Sequence, residues 1–282
     1  MIIIDWNQAI ITAMYTALEP KDINEFNLRS LILSTIKDIT KKFKSKYGSE
    51  VVIACDCYTT SYWRKSYFQY YKSDRKRLRD SSKYDWSIIF PIHNKIKQEL
   101  IDNSMYKVLD IDTAEADDII GTLVQQYHNV EKILIISSDK DFLQLQKYSN
   151  VYQYSIKNKT LIEDNNPERG LKEKIIRGDR NDGIPNILSA DDVFVTNTRQ
   201  KSIISDKLEQ WLNQSPEKFC NEEMLRNYSR NNVLINLDCI PDSLKNIILY
   251  KYIETKHQTR QKFLSYLIET RMSEFISDIS DF

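Results

Sequence analysis

Three short apolar runs, each leading into aspartate, constrain this chain more than any other feature of it. Residues 2–4 are all isoleucine and run into Asp5, residues 51–54 lead to Asp56, and residues 132–136 close into Ser137-Ser138-Asp139. A further run at 106–109 precedes a stretch with helical spacing at 113–128. Apolar residues also recur at helical spacing across 23–47, where Gly48 marks the stop. Two more short strands are expected at 151–154 and 160–162. This alternation predicts an α/β fold with a central, mostly parallel sheet flanked by helices. Ligands of such sheets bind outside the carboxyl ends of the strands, so the aspartates fall on the edge where a site forms.

Composition narrows the options. Apolar side chains make up 41% of the 282 residues, enough to bury a core. Formal net charge is zero, so a polyanionic partner must be met by a local basic region. Cys55, Cys57, Cys220 and Cys239 lack the paired spacings of a zinc site and are expected as reduced thiols. The first residues carry no basic segment ahead of an apolar one, and no apolar run reaches membrane-spanning length. A soluble, monomeric protein of a reducing cytoplasm is the expectation. Past residue 167 the pattern predicts helix throughout, with apolar stretches around 203–212 and 243–252.

The acidic residues carry the functional signal. Asp5, Asp56, Asp139 and Asp141 sit at or just beyond strand ends, and Glu115, Asp117 and Asp118 fall in the first turns of a helix starting on the same edge. Glu115 and Asp118 are three apart and share a helix face. Asp179 and Asp182 repeat that spacing within Gly178-Asp179-Arg180-Asn181-Asp182-Gly183. Taken singly, each has an ordinary explanation: an aspartate after a strand caps the next helix, and acids in a first turn complement the helix dipole. Together on one edge, so many carboxylates cannot all stay ionised without cations. An oxygen-only donor set without histidine or cysteine favours two Mg²⁺ ions, with Mn²⁺ as a substitute. Paired ions suit in-line phosphodiester cleavage, one activating water and both stabilising the attacking and leaving oxygens.

A basic, aromatic segment interrupts the sheet directly after Asp56, across residues 58–91. It holds Arg64, Lys65, Lys72, Arg75, Lys76, Arg77 and Arg79, interleaved with Trp63, Tyr67, Phe68, Tyr70 and Tyr71. A charge run is commonly a solvated helix face. Placed over an acidic edge that would repel a polyanion, it reads as a phosphate-holding segment, with aromatics able to stack unpaired bases.

Glu115-Ala116-Asp117-Asp118, Ser138-Asp139-Lys140-Asp141 and Gly178-Asp179 through Asp182-Gly183-Ile184-Pro185, with Asp5 and Asp56 in order, resemble the flap endonuclease and 5′–3′ exonuclease family, in particular its bacteriophage ribonuclease H-type branch. The resemblance covers about residues 1–190. It implies a PIN/5′-nuclease-like fold with a basic arch. Asp5, Asp56, Glu115, Asp117 and Asp118 would form a first metal cluster, and Asp139, Asp141, Asp179 and Asp182 a second. Residues 70–75 resemble the entrance of the arch, which makes Lys72 and Arg75 catalytic candidates alongside Asp5, Asp56 and Asp139. Arg64, Lys65, Tyr70, Tyr71, Lys76, Arg77 and Arg79 would join Lys72 and Arg75 against nucleic acid. The implied substrate is DNA or an RNA–DNA hybrid with a free 5′ end or flap, as in primer removal during replication. One departure is plain. After Pro185 the chain reads Asn-Ile-Leu-Ser-Ala-Asp-Asp, without the glycines that let the family's duplex-binding hairpin approach phosphate.

Two domains are expected: a catalytic one over 1–185, including the arch at about 58–91, and a helical C-terminal region over 186–282. That region would dock a single-strand binding protein or a sliding clamp, or simply brace the duplex-binding face. Three rival readings remain at this point: a PIN-type ribonuclease, a catalytically inactive DNA-binding replication module, and a phosphatase of the haloacid dehalogenase type. The phosphatase expects Asp-x-Asp after the first strand, where this chain has Asp5-Trp6-Asn7.

Overall fold

A computed structural model describes residues 1–58, 61–73, 75 and 82–282. Its centre is a six-stranded sheet in the order β3-β2-β1-β4-β5-β6. These strands are β1 (Ile2–Asp5), β2 (Val51–Cys55), β3 (Lys107–Asp110), β4 (Ile133–Ile136), β5 (Val151–Ser155) and β6 (Thr160–Ile162). All neighbours pair in parallel except β5 and β6, which are antiparallel. The expected strands therefore form, each within a residue or two of its predicted limits.

Strand periodicity explains how one short run serves two layers. Ile2 and Ile4 of β1 face one side of the sheet and Met1 and Ile3 the other, and all four are fully buried. On the first side pack helices α1 (Trp6–Ala17), α2 (Glu25–Tyr47) and α4 (Trp86–Asn103), the short α3 (Trp63–Tyr67) lying between β2 and α4 in the chain. On the other side lie α5 (Ala116–Tyr127) and the 3-10 segment Lys140–Lys147. Burying each such isoleucine contributes about 1.5–3 kcal/mol, so a near-continuous apolar strand is stable only with both faces covered.

Past β6 the structure departs from the expectation of continuous helix. Helix α6 (Pro167–Arg177) ends at Gly178, and residues 178–204 form turns and loops before α7 (Ser205–Leu212). Gly178 has φ +69°, and a side chain there would meet the Ile184 carbonyl 2.2 Å away. The helix therefore must end here, and the following turn closes on itself through paired hydrogen bonds between Asp179 and Ile184. The remaining helices are α8 (Pro216–Phe219), α9 (Glu222–Ile235), α10 (Asp242–Glu254) and α11 (Arg260–Glu269). Helix α10 packs on α5, while Phe263, Tyr266 and Leu267 of α11 join the core beside β1.

Topology decides where a site can form. From β1 the chain steps outward to β2 and β3, then returns across β1 to β4. The strand order thus reverses between β1 and β4, opening a crevice at their carboxyl ends. Asp5 ends β1, and Ser137, Ser138 and Asp139 follow β4.

Candidate active site

A cavity of about 760 Å³ opens at this switch point, lined by seven carboxylates: Asp5, Asp56, Asp117, Asp139, Asp141, Asp179 and Asp182. They arrive from five pieces of local structure, Asp139 and Asp141 sharing one and Asp179 and Asp182 another. Asp5 caps α1 by accepting the Gln8 amide at 3.2 Å and also accepts the Ser137 hydroxyl at 2.9 Å. Asp139 accepts the Asp141 amide at 2.9 Å, and Asp56 accepts the amide of Ala116 at 2.8 Å. The ordinary capping role and the site role therefore coincide: caps aim the carboxylates at the cleft.

The other two predicted ligands stand behind the cavity wall. Glu115 and Asp118 are fully buried and share the guanidinium of Arg64 at 2.9 and 2.8 Å. Asp118 also accepts the Trp63 indole N–H at 3.1 Å and the Glu115 amide at 2.9 Å, closing the first turn of α5. Burial raises the Asp118 carboxyl although Arg64 opposes it. The expectation that Arg64 contacts nucleic acid is corrected by this geometry. The residue is 2% exposed, and its Nε donates to the Leu234 carbonyl at 3.0 Å. Tyr71 is likewise buried, its hydroxyl donating to Glu115 at 2.9 Å and Asp182 at 3.2 Å, so it offers no face to a base. Tyr70 is half-buried and Lys65 exposed. Lys76, Arg77 and Arg79 lie outside the described residues.

Lys72 and Arg75 do reach the cleft. The Lys72 ammonium pairs with Glu115 and lies 3.8 Å from Asp182, which Arg75 binds at 2.9 Å. Lys72 sits at φ +55°, a conformation that costs a non-glycine residue about 1 kcal/mol or more. Its amide donates to the Asp182 carbonyl at 2.8 Å, and a side chain on Gly183 would meet the Tyr70 carbonyl at 2.8 Å. The Gly178–Gly183 turn thus clamps the base of the basic segment against the carboxylates.

Charge in the cavity is unbalanced from one end to the other. Burial, then Asp56, pushes the Asp5 carboxyl up to about 7. Burial, opposed by Lys72 and reinforced by Asp139, raises Asp117 well above the carboxylate range. Asp139 is raised by burial and its acidic neighbours against the pull of Lys174. Asp182 goes the other way, since Lys72, Arg75 and Lys174 outweigh its burial. The Asp5–Asp117 end is therefore short of cations.

The donor set fits hard divalent cations. Every acidic or uncharged polar side chain of the cavity offers oxygen or amide nitrogen, with no histidine or cysteine. As arranged, no group of three acidic, histidine or cysteine side chains among the described residues is gathered to hold one ion. Amines fill that role at the other end: Lys174 pairs with Asp141 and lies 2.8 Å from Asp179. Sequence reasoning missed Lys174. Its only signal is its place one turn before Gly178 on the helix that delivers Asp179. It also passed over Asn7, which donates to Asp56 at 2.6 Å, and Gln153, which donates to the Ser137 carbonyl at 2.9 Å and to the Asp139 carbonyl at 2.5 Å.

Comparison with known proteins agrees with this picture. Residues 1–175 match the family described as 5′–3′ exonuclease, N-terminal resolvase-like domain, and residues 165–282 match T4 RNase H, C-terminal. The ribonuclease H of Enterobacteria phage T4 is 34% identical, the match spanning 99% of this chain and 95% of that protein. A 5′–3′ exonuclease of Mycoplasmopsis pulmonis is 27% identical over 66% of this chain and 61% of its own length. A zinc-bound T5 5′-exonuclease structure shares the fold, with a TM-score of 0.68 at 15% identity, covering 90% of this chain and 98% of the other. The fold and these likenesses define a nuclease, an enzyme that hydrolyses phosphodiesters. The chain belongs to the 5′–3′ exonuclease family, and its activity is that of a structure-specific 5′ nuclease. Among the described residues no helix is long and apolar enough to cross a membrane.

Proposed function

We propose that this nuclease uses two Mg²⁺ ions to trim 5′ flaps and primers from DNA and RNA–DNA hybrids. The observation that carries the reading is the convergence of seven carboxylates from five segments on one cavity also lined by Lys72 and Arg75. Asp5, Asp56, Asp117 and Asp139 would hold one ion, supported from behind by Glu115 and Asp118. Asp141, Asp179 and Asp182 would hold the other once Lys174 yields its place. When bound, the ions supply an activated water and Lewis-acid stabilisation at the scissile phosphorus. Water attacks phosphorus, the bond to the 3′ oxygen breaks, and the products carry a 5′-phosphate and a 3′-hydroxyl.

The chain's own residues supply position and charge. Lys72 and Arg75 stabilise negative charge on the non-bridging oxygens as it develops. Duplex backbone lies along a second cavity, of about 590 Å³, lined by Arg177, Arg180, Arg199 and Lys201 and by no acidic residue. Asn186 holds its wall in place: its backbone amide donates to the Gln200 side-chain oxygen at 2.8 Å and its side-chain amide to the Lys201 carbonyl at 2.8 Å. The test is cleavage of a 5′-labelled flap substrate with and without Mg²⁺, alongside Asp139→Asn. Metal-dependent release of the flap by the parent and none by the variant is expected. Equal cleavage by both would overturn the assignment.

A further inference from the structure

Helix α9 lies outside residues 1–185, the stretch expected to carry catalysis, yet three acid-bearing segments are tied to it by buried polar groups. Asn231, fully buried, faces the turn that carries Asp179 and Asp182. Its side-chain amide donates to the Pro185 carbonyl at 2.8 Å and to the Ile175 carbonyl at 2.8 Å. The second bond answers a local need. The Asp179 amide, which would have closed the last turn of α6 on Ile175, donates instead to Ile184 at 2.8 Å, so the Ile175 carbonyl is left for an outside donor. Arg230 adds a second bond to Pro185 at 2.9 Å, and the Asn231 side-chain oxygen accepts from the same guanidinium at 2.8 and 3.0 Å. Carbonyls at the end of α9, free of helical partners, receive the other two segments. Leu234 accepts the Arg64 Nε at 3.0 Å, and Arg64 is the cation that Glu115 and Asp118 share. Ile235 accepts the Gln144 side-chain amide at 3.1 Å. That amide also donates to the Asp141 carbonyl at 2.8 Å, while the Gln144 side-chain oxygen accepts the Leu237 amide at 2.8 Å.

We propose that α9 is the template on which the active site is registered, with Asn231 and Gln144 the positioning residues that hold Asp179 and Asp182 in place against Asp139 and Asp141. This role rests on the reading of the acidic cavity as the nuclease site and extends it to side chains that stand behind the carboxylates. Asp139 and Asp141 open a 3-10 segment, and Asp179 and Asp182 sit on a turn. Shapes of that kind take their place from bonds to neighbouring elements, and Asn231 and Gln144 make those bonds to opposite ends of one rigid turn of helix. A satisfied buried amide adds little net stability, because its bonds replace bonds to water; what it sets is register. Leu234 and Ile235 complete the joint by packing against Phe68, Tyr71, Ile175 and Ile184. Carboxylates that converge on one reacting centre lose function when displaced by about an ångström, so a loss of register shows in the rate before it shows in the fold. Catalysis therefore does not end at residue 185: the helix that aligns the acids comes from the C-terminal region.

The experiment compares Asn231→Leu and Gln144→Met, which keep volume and remove the bonds, with Arg29→Met. Arg29 is buried on α2, paired with Glu25 and Glu99, and is not among the residues lining the cavity, so its loss destabilises the fold without touching the joint. Four quantities are measured in the full chain: urea unfolding in EDTA, the dissociation constant of a flapped duplex in Ca²⁺, Mn²⁺ binding without DNA by spin resonance, and the single-turnover rate at saturating Mg²⁺ and DNA. Asn231→Leu and Gln144→Met should cut roughly tenfold to a hundredfold more slowly and bind Mn²⁺ roughly tenfold more weakly, the loss typical of removing a group that orients ligands, while holding the duplex as the parent does. Arg29→Met should unfold at lower urea yet keep the parent's rate and Mn²⁺ binding. Gln144→Met carries the test alone if Asn231→Leu does not fold. Parental rates and Mn²⁺ binding in both variants overturn the proposal, and so does an equal slowing in Arg29→Met, which would trace the effect to stability. If those variants keep the parent's rate while Asp139→Asn is inactive, only the role of α9 falls. If Asp139→Asn cuts as the parent does, the nuclease assignment of the cavity falls instead.

Discussion

Removing the charge of Asp5 should make the metal-free protein more stable and the enzyme inactive. In the folded chain this carboxyl is pushed from an ordinary 3.8 up to about 7 by burial and by Asp56. A group whose folded pKa is raised gives stability that is complete below its unfolded value and lost as pH rises through the folded one. Between pH 4 and pH 8 the parent should therefore lose about 4 kcal/mol through Asp5 alone. Asparagine does not titrate, and it retains an acceptor for the Gln8 amide and a partner for the Ser137 hydroxyl. Asp5→Asn should thus exceed the parent by up to about 4 kcal/mol at pH 8, or about 7 °C in melting temperature for a chain of this length. His93 has the opposite dependence. Held neutral by burial and by Lys97, with its pKa lowered to about 4, it loses stability as pH falls from its ordinary 6.5. It is common to both proteins, so the difference between their melting curves isolates Asp5. The assay is thermal unfolding by circular dichroism in EDTA from pH 4.5 to 8, then with Mg²⁺, which should favour the parent and close the gap. Identical melting temperatures at pH 8 in EDTA would refute the electrostatic account of the cavity.

Four further outcomes follow from the same geometry. Asp139→Asn should abolish cleavage yet bind flapped DNA as the parent does, checked by gel shift beside a cleavage assay. Lys72→Ala should lower the single-turnover rate by about a hundredfold with little effect on affinity, the loss expected when a transition-state charge contact is removed; an unchanged rate takes Lys72 out of the chemistry. Arg64→Ala leaves the fully buried Asp118 without its cation, while Glu115 keeps Lys72, and should cost about 3–5 kcal/mol in urea unfolding. Gly183→Ala must place a side chain at φ +70° against the Tyr70 carbonyl, so it should slow cleavage by loosening Lys72 and destabilise the fold by about 1–3 kcal/mol.

Sequence was informative where one physical cause acts alone and uninformative where several compete. The apolar runs at 2–4 and 133–136 can be stable only as strands covered on both faces, so β1 and β4, and with them the crevice that receives Asp5 and Asp139, could be read without coordinates. The loop from 178 to 204 could not, because its irregular path depends on two glycines at positive φ and on Asn186 reaching 14 residues ahead. Charged residues were the hardest to place. Arg64 and Lys65 are neighbours in a basic segment and look alike in sequence, yet one rotates inward on α3 to neutralise Glu115 and Asp118 while the other stays in solvent. What separates them is the helical phase of a five-residue helix, fixed by the Trp63 indole binding Asp118. Lys174 was invisible for a related reason: a lysine late in an amphipathic helix commonly complements the helix dipole, and nothing local says that Asp141, 33 residues earlier, will stand beside it. A cluster of acids can be inferred from strand ends, but the cations that balance it are chosen by tertiary packing.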